Sequence, residues 1–346
     1  MPASFPSRPL ADPRGGPAVV ALGGGHGLAA SLTALRRVTD RLTAVVTVAD
    51  DGGSSGRLRR ELGVLPPGDL RMALAALCGD DDWGRTWSDL VQHRFRGDGE
   101  LRGHAVGNLL IVALWELLGD TVPALDLVGR LLRAEGRVLP MCSVPLDLEA
   151  TVVGADAADP DGVTSVRGQV AVASTPGRVA GLRLVPDQPP ACAEAVTAVR
   201  YADWVVLGPG SWFSSVIPHL LVPELAAALC ETTARRAVVL NLAPQPGETS
   251  GFSPETHLEV LAAHAPGLRL DVVIVDPRTV AELGPLQRVA AELGARLVVR
   301  PVSAADGSPR HDPTRLAAAF AATFAGTASA RPTGERSDTT AHHGRI

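Results

Sequence analysis

The chain has 346 residues, 46% hydrophobic and 20% charged, with a formal net charge of -5 at neutral pH. That length allows one large α/β domain or two small ones with ample core, and the acidic balance argues against the basic footprint of a nucleic-acid-binding protein. All 32 lysine-plus-arginine residues are arginine, so a Walker P-loop, a Schiff-base lysine and a Tyr-Lys dehydrogenase pair are excluded, and a bound phosphate must be met by arginine, backbone N–H or metal.

Residues 1–16, rich in Pro, Ser, Arg and Gly, read as a disordered leader. Residues 17–22 (PAVVAL) predict a short buried strand, followed by Gly23, Gly24, Gly25, His26 and Gly27 and a helix to about Val38, with Leu28, Leu32 and Leu35 at helical spacing. From Gly25 the loop fits GxGxxA, with Gly27 and Ala30, a pattern shared by phosphate loops and by ordinary tight turns. A second strand, residues 43–48, brings Asp50 and Asp51 to about the distance beyond the glycines at which a dinucleotide fold places its ribose-binding acid.

The next stretch, VVTVADDGGSSGRLRRELGVLPPGDLR, is the densest in chemistry. Asp50 and Asp51 end a strand; Gly52, Gly53, Ser54, Ser55 and Gly56 allow backbone N–H groups to converge; and a helix starts with Arg57 at its head. Asp69 is placed to cap a further helix through Met72, Leu74 and Leu77, with Arg71 beside it. Asp80 to Asp82 read as a solvated acidic loop. His104 and Asn108, four apart around Gly107 at the head of an apolar helix, fall on one face, either as ligand-facing groups or as core and cap residues.

From Arg137 the pattern changes to β-formers at 138–142, 147–155 and 163–173, with DPDG as a turn, predicting an antiparallel excursion or dimerising arm over 137–175. The parallel pattern resumes with a helix over 191–200 and a strand over 204–207 that runs into Gly208, Pro209, Gly210, Ser211 and Ser214, a second candidate anion or ribose loop. The strand at 237–240 leads to Asn241, Gln245 and Glu248, whose amide and carboxylate groups suit a base or sugar. Further strands are expected at 270–275 and 296–299, a helix around 280–293, and a last helix at 313–324 after Arg310, with 326–346 as a disordered tail. Cys78, Cys142, Cys192 and Cys230 form no CxxC pair and read as reduced, mostly buried thiols. With no apolar run long enough to span a membrane and no signal-peptide core, a cytoplasmic protein is expected.

The whole predicts an α/β fold: a Rossmann-like, doubly wound, mostly parallel sheet with a small antiparallel excursion. Its strand-end loops would line one nucleotide crevice. The motifs GGGHGL, ADDGGSSGRLR, LPPGDLR, GHAVGNLL, GRVLP, ADWVVLGPGS, SSVIPHLLVPEL, NLAPQPGET and RHDP resemble, in order and spacing, those of the YvcK gluconeogenesis factor family within the CofD-like superfamily, over residues 18–316. The resemblance implies a single CofD-like domain over 17–325 that binds UDP-sugars, notably UDP-N-acetylglucosamine, and supports cell shape and envelope synthesis on gluconeogenic carbon sources. It also implies that Arg310 of RHDP belongs to the ligand site. Related transferases move a phospholactyl group from a nucleotide donor to a deazaflavin precursor, with a metal on aspartates that match Asp51 and Asp69. No cofactor is required by this reading, and Mg2+ is the one it allows. A homo-oligomer and a regulatory protein partner are expected. The chain departs from the family at His26 (usually Thr), at Trp212, Phe213 and Ser214 (usually Leu-Tyr-Thr) and at Ala243 and Pro244 (usually Met-Thr).

Three functional classes therefore stand: a nucleotide-sugar-binding regulator, a metal-dependent CofD-like transferase, and a nicotinamide-binding oxidoreductase permitted by the first glycine loop.

Overall fold

Strand β1 (Val19–Gly23) is buried along its whole length, as a strand must be when it has a neighbour on each edge and helices on each face. The computed structural model to which it belongs describes residues 15–245 and 247–326. On one side of β1 run β2 (Leu42–Val46) and β3 (Arg137–Pro140), both parallel to it. The antiparallel strands β4 (Asp147–Val153), β5 (Val163–Arg167) and β6 (Arg178–Val185) form a separate sheet in the order β5-β4-β6. The main sheet continues on the other side of β1 with β7 (Trp204–Leu207), β8 (Arg235–Val239), β9 (Val272–Val275) and β10 (Arg296–Val299), all parallel.

The order β10-β9-β8-β7-β1-β2-β3 means that the chain builds outward from β1 in one direction, then returns and builds outward from β7 in the other. Right-handed crossovers place the helices of the two halves on opposite faces. On one face α1 (Gly25–Leu35) packs against α3 (Gly68–Ala76) and α12 (Pro313–Ala325); on the other, α8 (Ala193–Arg200) packs against α9 (Pro223–Glu231), and α10 (Pro254–His264) against α11 (Leu283–Glu292). The point where the order reverses lies between β1 and β7, and that is where open α/β sheets bind ligands. The doubly wound fold is thus the one the sequence predicts.

Several boundaries differ from the sequence reading. Residues 137–140 are an edge strand of the parallel sheet, in register with β2, and not part of the antiparallel excursion. The excursion instead gains β6, and residues 169–174 turn into a short helix, α7 (Gln169–Ser174), rather than extending β5. The acidic stretch at 80–82 is not a plain loop. Asp80 pairs with Arg36, and Asp81 caps α4 (Asp82–Gln92) by accepting from Gly84 N–H at 2.7 Å. That helix is amphipathic around a mostly polar surface, burying only Gly84 and Val91, so apolar periodicity barely registers it. Likewise Ser253 and Pro254 open α10, a cap-and-proline start that composition alone passes over. Residues 1–14 and 327–346, which hold nearly all of the expected leader and tail, lie outside the described residues. Among the described residues, no single helix is long and apolar enough to cross a membrane.

Candidate functional site

The loops that leave β1 and β7 meet at the switch point. Gly24 is the N-cap of α1 and offers no side chain to the helix's first N–H groups, which leaves the positive end of the helix open to an anion. Gly25 takes φ +54°, and Gly210, across the crevice, φ +144°; both angles favour glycine. The two loops touch at Gly27: a methyl there would collide with the Pro209 carbonyl and stand 2.5 Å from Gly210 Cα. Gly24 is as confined, since a Cβ would lie 2.5 Å from Asp69 Oδ2 and 3.2 Å from Ser215 Oγ. The glycines therefore serve close approach of backbones, and the surface they leave is made of main-chain groups.

Between these loops lies a crevice of about 480 Å³, lined by Gly24, Gly25, His26, Gly27, Asp69, Gln169, Val170, Ala173, Ser174, Gly210, Ser211, Ser214, Ser215 and Gln245. The β7 loop is braced from below. Asn241, at the end of β8, accepts from Gly210 N–H (2.9 Å) and donates to Gly210 C=O (2.8 Å). The buried Glu248 carboxylate accepts from Ser211 Oγ (2.7 Å), Ser214 Oγ (2.6 Å) and Phe213 N–H (3.1 Å). Residues 212–216 form a single π turn around that carboxylate before the chain tightens at 217–221 and enters α9, so the β7 unit is strand, glycines and π turn rather than strand and plain helix. Asn241 and Glu248, expected to read a base or sugar, thus shape the loop. Gln245 keeps its Oε1 buried without a partner among the described residues, on the crevice wall.

Asp69 forms the floor. It lies in the first turn of α3, two residues past the N-cap Pro67, so it is not the helix cap the sequence predicts. Instead it accepts the Gly25 N–H; burial and the neighbouring Asp50 carboxylate push its pKa up to about 7, against the pull of that bond and of Arg71. Asp50 sits close by: both its Oδ2 and the Ser55 hydroxyl close on Gly68, and its Oδ1 accepts from Gly52 N–H at 2.9 Å. Asp51 points elsewhere. Its Oδ1 accepts from Val170 N–H at 3.0 Å, and its Oδ2 packs against Gly168 (φ +103°), so it docks the start of α7. The pair brought together is Asp50 with Asp69, not the expected metal pair of Asp51 with Asp69. Among the described residues no group of three or more His, Cys, Asp or Glu is arranged to hold a metal ion. Two carboxylates suit Mg2+, which fills its remaining positions with phosphate oxygens and water.

The antiparallel insertion has a part in the site that its sequence does not announce. Val170 packs on Gly52, and a side chain at Gly247 (φ +83°) would run into the backbone of Ala173. Helix α7 therefore spans from the β2 loop to the β8 loop and closes one side of the crevice with Gln169, Val170, Ala173 and Ser174. His26 and Ser215 also line it. The glycine at 168, ahead of an amide, was the one sequence signal for α7.

Other predicted residues fall behind the site. In the buried head of α2 (Gly53–Leu62), Ser54 Oγ lies 3.0 Å from His104 Nδ1 and accepts from Asn108 Nδ2 at 3.0 Å, with Asn108 in the first turn of α5 (Val106–Leu118). His104 and Asn108 do share a face, and that face holds α2 to α5. Burial, then Arg57, depress the His104 pKa. Arg57 donates to the Glu100 (3.2 Å) and Arg102 (2.6 Å) carbonyls rather than into the crevice. Gly23 ends β1 and Gly208 (φ +73°) ends the β7 segment below the rim. Gly53 (φ +47°) opens α2. Arg310 pairs with Asp306 at 2.9 Å in an exposed turn and does not line the crevice.

The chain matches known proteins over most of its length. The CofD family profile, described as 2-phospho-L-lactate transferase CofD, matches residues 19–294. A Mycobacterium tuberculosis protein provisionally named as a gluconeogenesis factor is 59% identical over 303 residues, covering 87% of this chain and 88% of the relative. The Listeria monocytogenes gluconeogenesis factor is 34% identical over 317 residues, covering 88% and 95%. A crystal structure of a UPF0052 family member from Bacillus halodurans superposes with a TM-score of 0.78 at 31% identity, covering 88% of this chain and 99% of that one.

Proposed function

We propose, on the premise that the chain belongs to the CofD family and within it to the gluconeogenesis factors, that it is a nucleotide-sugar-binding regulatory protein. Its ligand is of the UDP-N-acetylglucosamine type, and it acts in the cytoplasm to support cell shape and envelope synthesis on gluconeogenic carbon sources. The observation that carries this reading is the contact of two glycine loops at the switch point. They leave the N-terminus of α1 and the braced β7 turn facing one crevice. Such an arrangement meets a diphosphate with backbone N–H groups and helix dipole, one of the ways open to a chain without lysine. The volume of about 480 Å³ suits a ligand of that size, and the unpartnered Gln245 Oε1 offers an acceptor to a sugar hydroxyl or amide. Calorimetric titration with UDP-N-acetylglucosamine tests the reading. Saturable heat at one site per chain, weakened in Gln245→Ala, is expected; no heat at millimolar ligand would sink it.

One observation favours a second reading, the CofD-like transferase: the juxtaposed Asp50 and Asp69 below the crevice. Mg2+ held there would neutralise diphosphate charge, while the glycine loops orient the donor. Release of nucleotide from an activated phospholactate donor, dependent on Mg2+ and on the deazaflavin acceptor, is the result that reading requires.

A further inference from the structure

Arg71 differs from the other well-buried arginines. Arg36 pairs with Asp80 and Glu135, and Arg236 donates to the carbonyls of Leu229, Cys230 and Thr232. The Arg71 side chain is just as enclosed, 4% exposed, yet its guanidinium has no hydrogen bond or ion pair among the described residues, and its Nε is sealed from solvent without an acceptor. A sealed guanidinium N–H without an acceptor is costly, because it has given up water without gaining a partner. Asp50 and Asp69 lie toward the crevice but neither is in ion-pair contact with it.

The surroundings are built to keep that charge in place. The stem lies against Gly107, where a Cβ would come within 2.8 Å of Arg71 Cγ, so the glycine leaves room for it. Arg94 bridges to Ala105, two residues before that glycine, and adds a like charge that pushes the Arg71 pKa down after burial has done so. Arg94 donates to the Gly103 carbonyl at 2.8 Å, and Arg57 to the next carbonyls along, at Glu100 and Arg102. Those partners are neutral, so Arg94 and Arg57 keep their charge at the 94–104 segment, while Arg71 is offset only in part, by Asp69 and Asp50 acting without direct contact. Asn108, the residue after Gly107, also has its Oδ1 buried and unpartnered among the described residues.

We infer that Arg71, with Arg94 and Arg57 at its rim, forms a second anion subsite, separate from the glycine crevice, that takes a phosphate group, either as inorganic phosphate or at the end of a phosphomonoester. Guanidinium forks match phosphate oxygens in pairs, and Asn108 Oδ1 accepts the proton that a monohydrogen phosphate carries at neutral pH. The subsite stands on different residues from the nucleotide-sugar reading and does not depend on it. It would let the protein sense a nucleotide sugar and a phosphate on either side of the Asp50–Asp69 pair.

Thermal melting with inorganic phosphate or glycerol phosphate, against chloride at equal ionic strength, tests this in the full chain. Both phosphates should raise the wild-type midpoint, or inorganic phosphate alone if the subsite takes only the free anion. Arg94→Gln should weaken the apparent phosphate affinity about tenfold and Arg71→Met should abolish the effect, while Gly27→Ala, which distorts the glycine crevice, retains it. UDP-N-acetylglucosamine titrated into Arg94→Gln reports on the crevice separately and should match wild type. The inference is overturned if phosphate stabilises no form of the protein. It is equally overturned if the effect survives in Arg71→Met and disappears in Gly27→Ala, since the anion would then sit among the glycines.

Discussion

Gly27→Ala is the smallest change that tests how the crevice is made. The new Cβ would stand 2.5 Å from Gly210 Cα and 2.7 Å from the Pro209 carbonyl carbon, against backbone that cannot rotate away. Carbon atoms settle about 3.5–4.0 Å apart, so the β1 and β7 loops must part by about 1 Å. Overpacking of this kind costs about 1–3 kcal/mol. The gain of alanine over glycine in a helix, at most about 1 kcal/mol, is smaller here because Gly27 lies in the first turn of α1. A net loss of roughly 0.5–3 kcal/mol in urea unfolding is expected. Binding should suffer more, because the N–H groups of both loops lose their common focus. We expect a loss in nucleotide-sugar affinity of about tenfold or more, or about 1.4 kcal/mol. Gly129→Ala, in the helix Thr121–Leu132, is the control, for its Cβ would meet only Leu74 Cδ2 at 3.8 Å. It should leave affinity unchanged and be neutral or slightly stabilising. Calorimetry and urea melts on both variants decide the matter, and wild-type affinity in Gly27→Ala would refute the reasoning.

Three further outcomes follow from the same geometry. Glu248→Gln removes a carboxylate that accepts three bonds from the π turn; it should cost about 1–3 kcal/mol and weaken ligand binding, measured by urea melts and calorimetry. His219, fully buried between the Val45 and Val216 carbonyls, has its pKa pushed down to about 4 by burial. It is therefore neutral in the fold but protonates near 6.5 when unfolded, so stability present above that pH is lost as pH falls toward 4, on the order of 2–3 kcal/mol; urea midpoints from pH 7.5 to 4.5 should show the decline and His219→Gln should flatten it. Asp51→Ala removes the acceptor for Val170 N–H and should speed hydrogen exchange over residues 168–174 at a cost of about 0.5–2 kcal/mol confined to that segment; unchanged exchange there would remove α7 from the wall of the crevice.

The parallel core was readable because strands buried on both faces are continuous apolar runs. VVALG, WVVL and VVIV stand out as such, and the glycine-rich residues after the first two mark the switch-point loops. The limits of that reading are physical as well. Asp50 and Asp51 are adjacent and chemically identical, and only the backbone direction after β2 decides that Asp50 faces Asp69 while Asp51 faces α7. Glu248 and Asn241 carry groups equally able to bind a sugar or to brace a loop, and the choice depends on a contact across more than thirty residues. Arg57 follows the glycine-serine turn in sequence, yet its long side chain reaches carbonyls of a segment more than forty residues away. Helix α7 lends Gln169, Val170, Ala173 and Ser174 to the crevice, yet Gly168 ahead of it is the one cue its residues carry.

The central claim is most directly tested by a crystal structure of the protein soaked with UDP-N-acetylglucosamine and Mg2+. The account predicts diphosphate density between Gly24–Gly27 and Gly210–Ser215, above Asp69 and within reach of the α1 N-terminus. A nucleotide bound elsewhere on the protein, with that crevice empty, would contradict it.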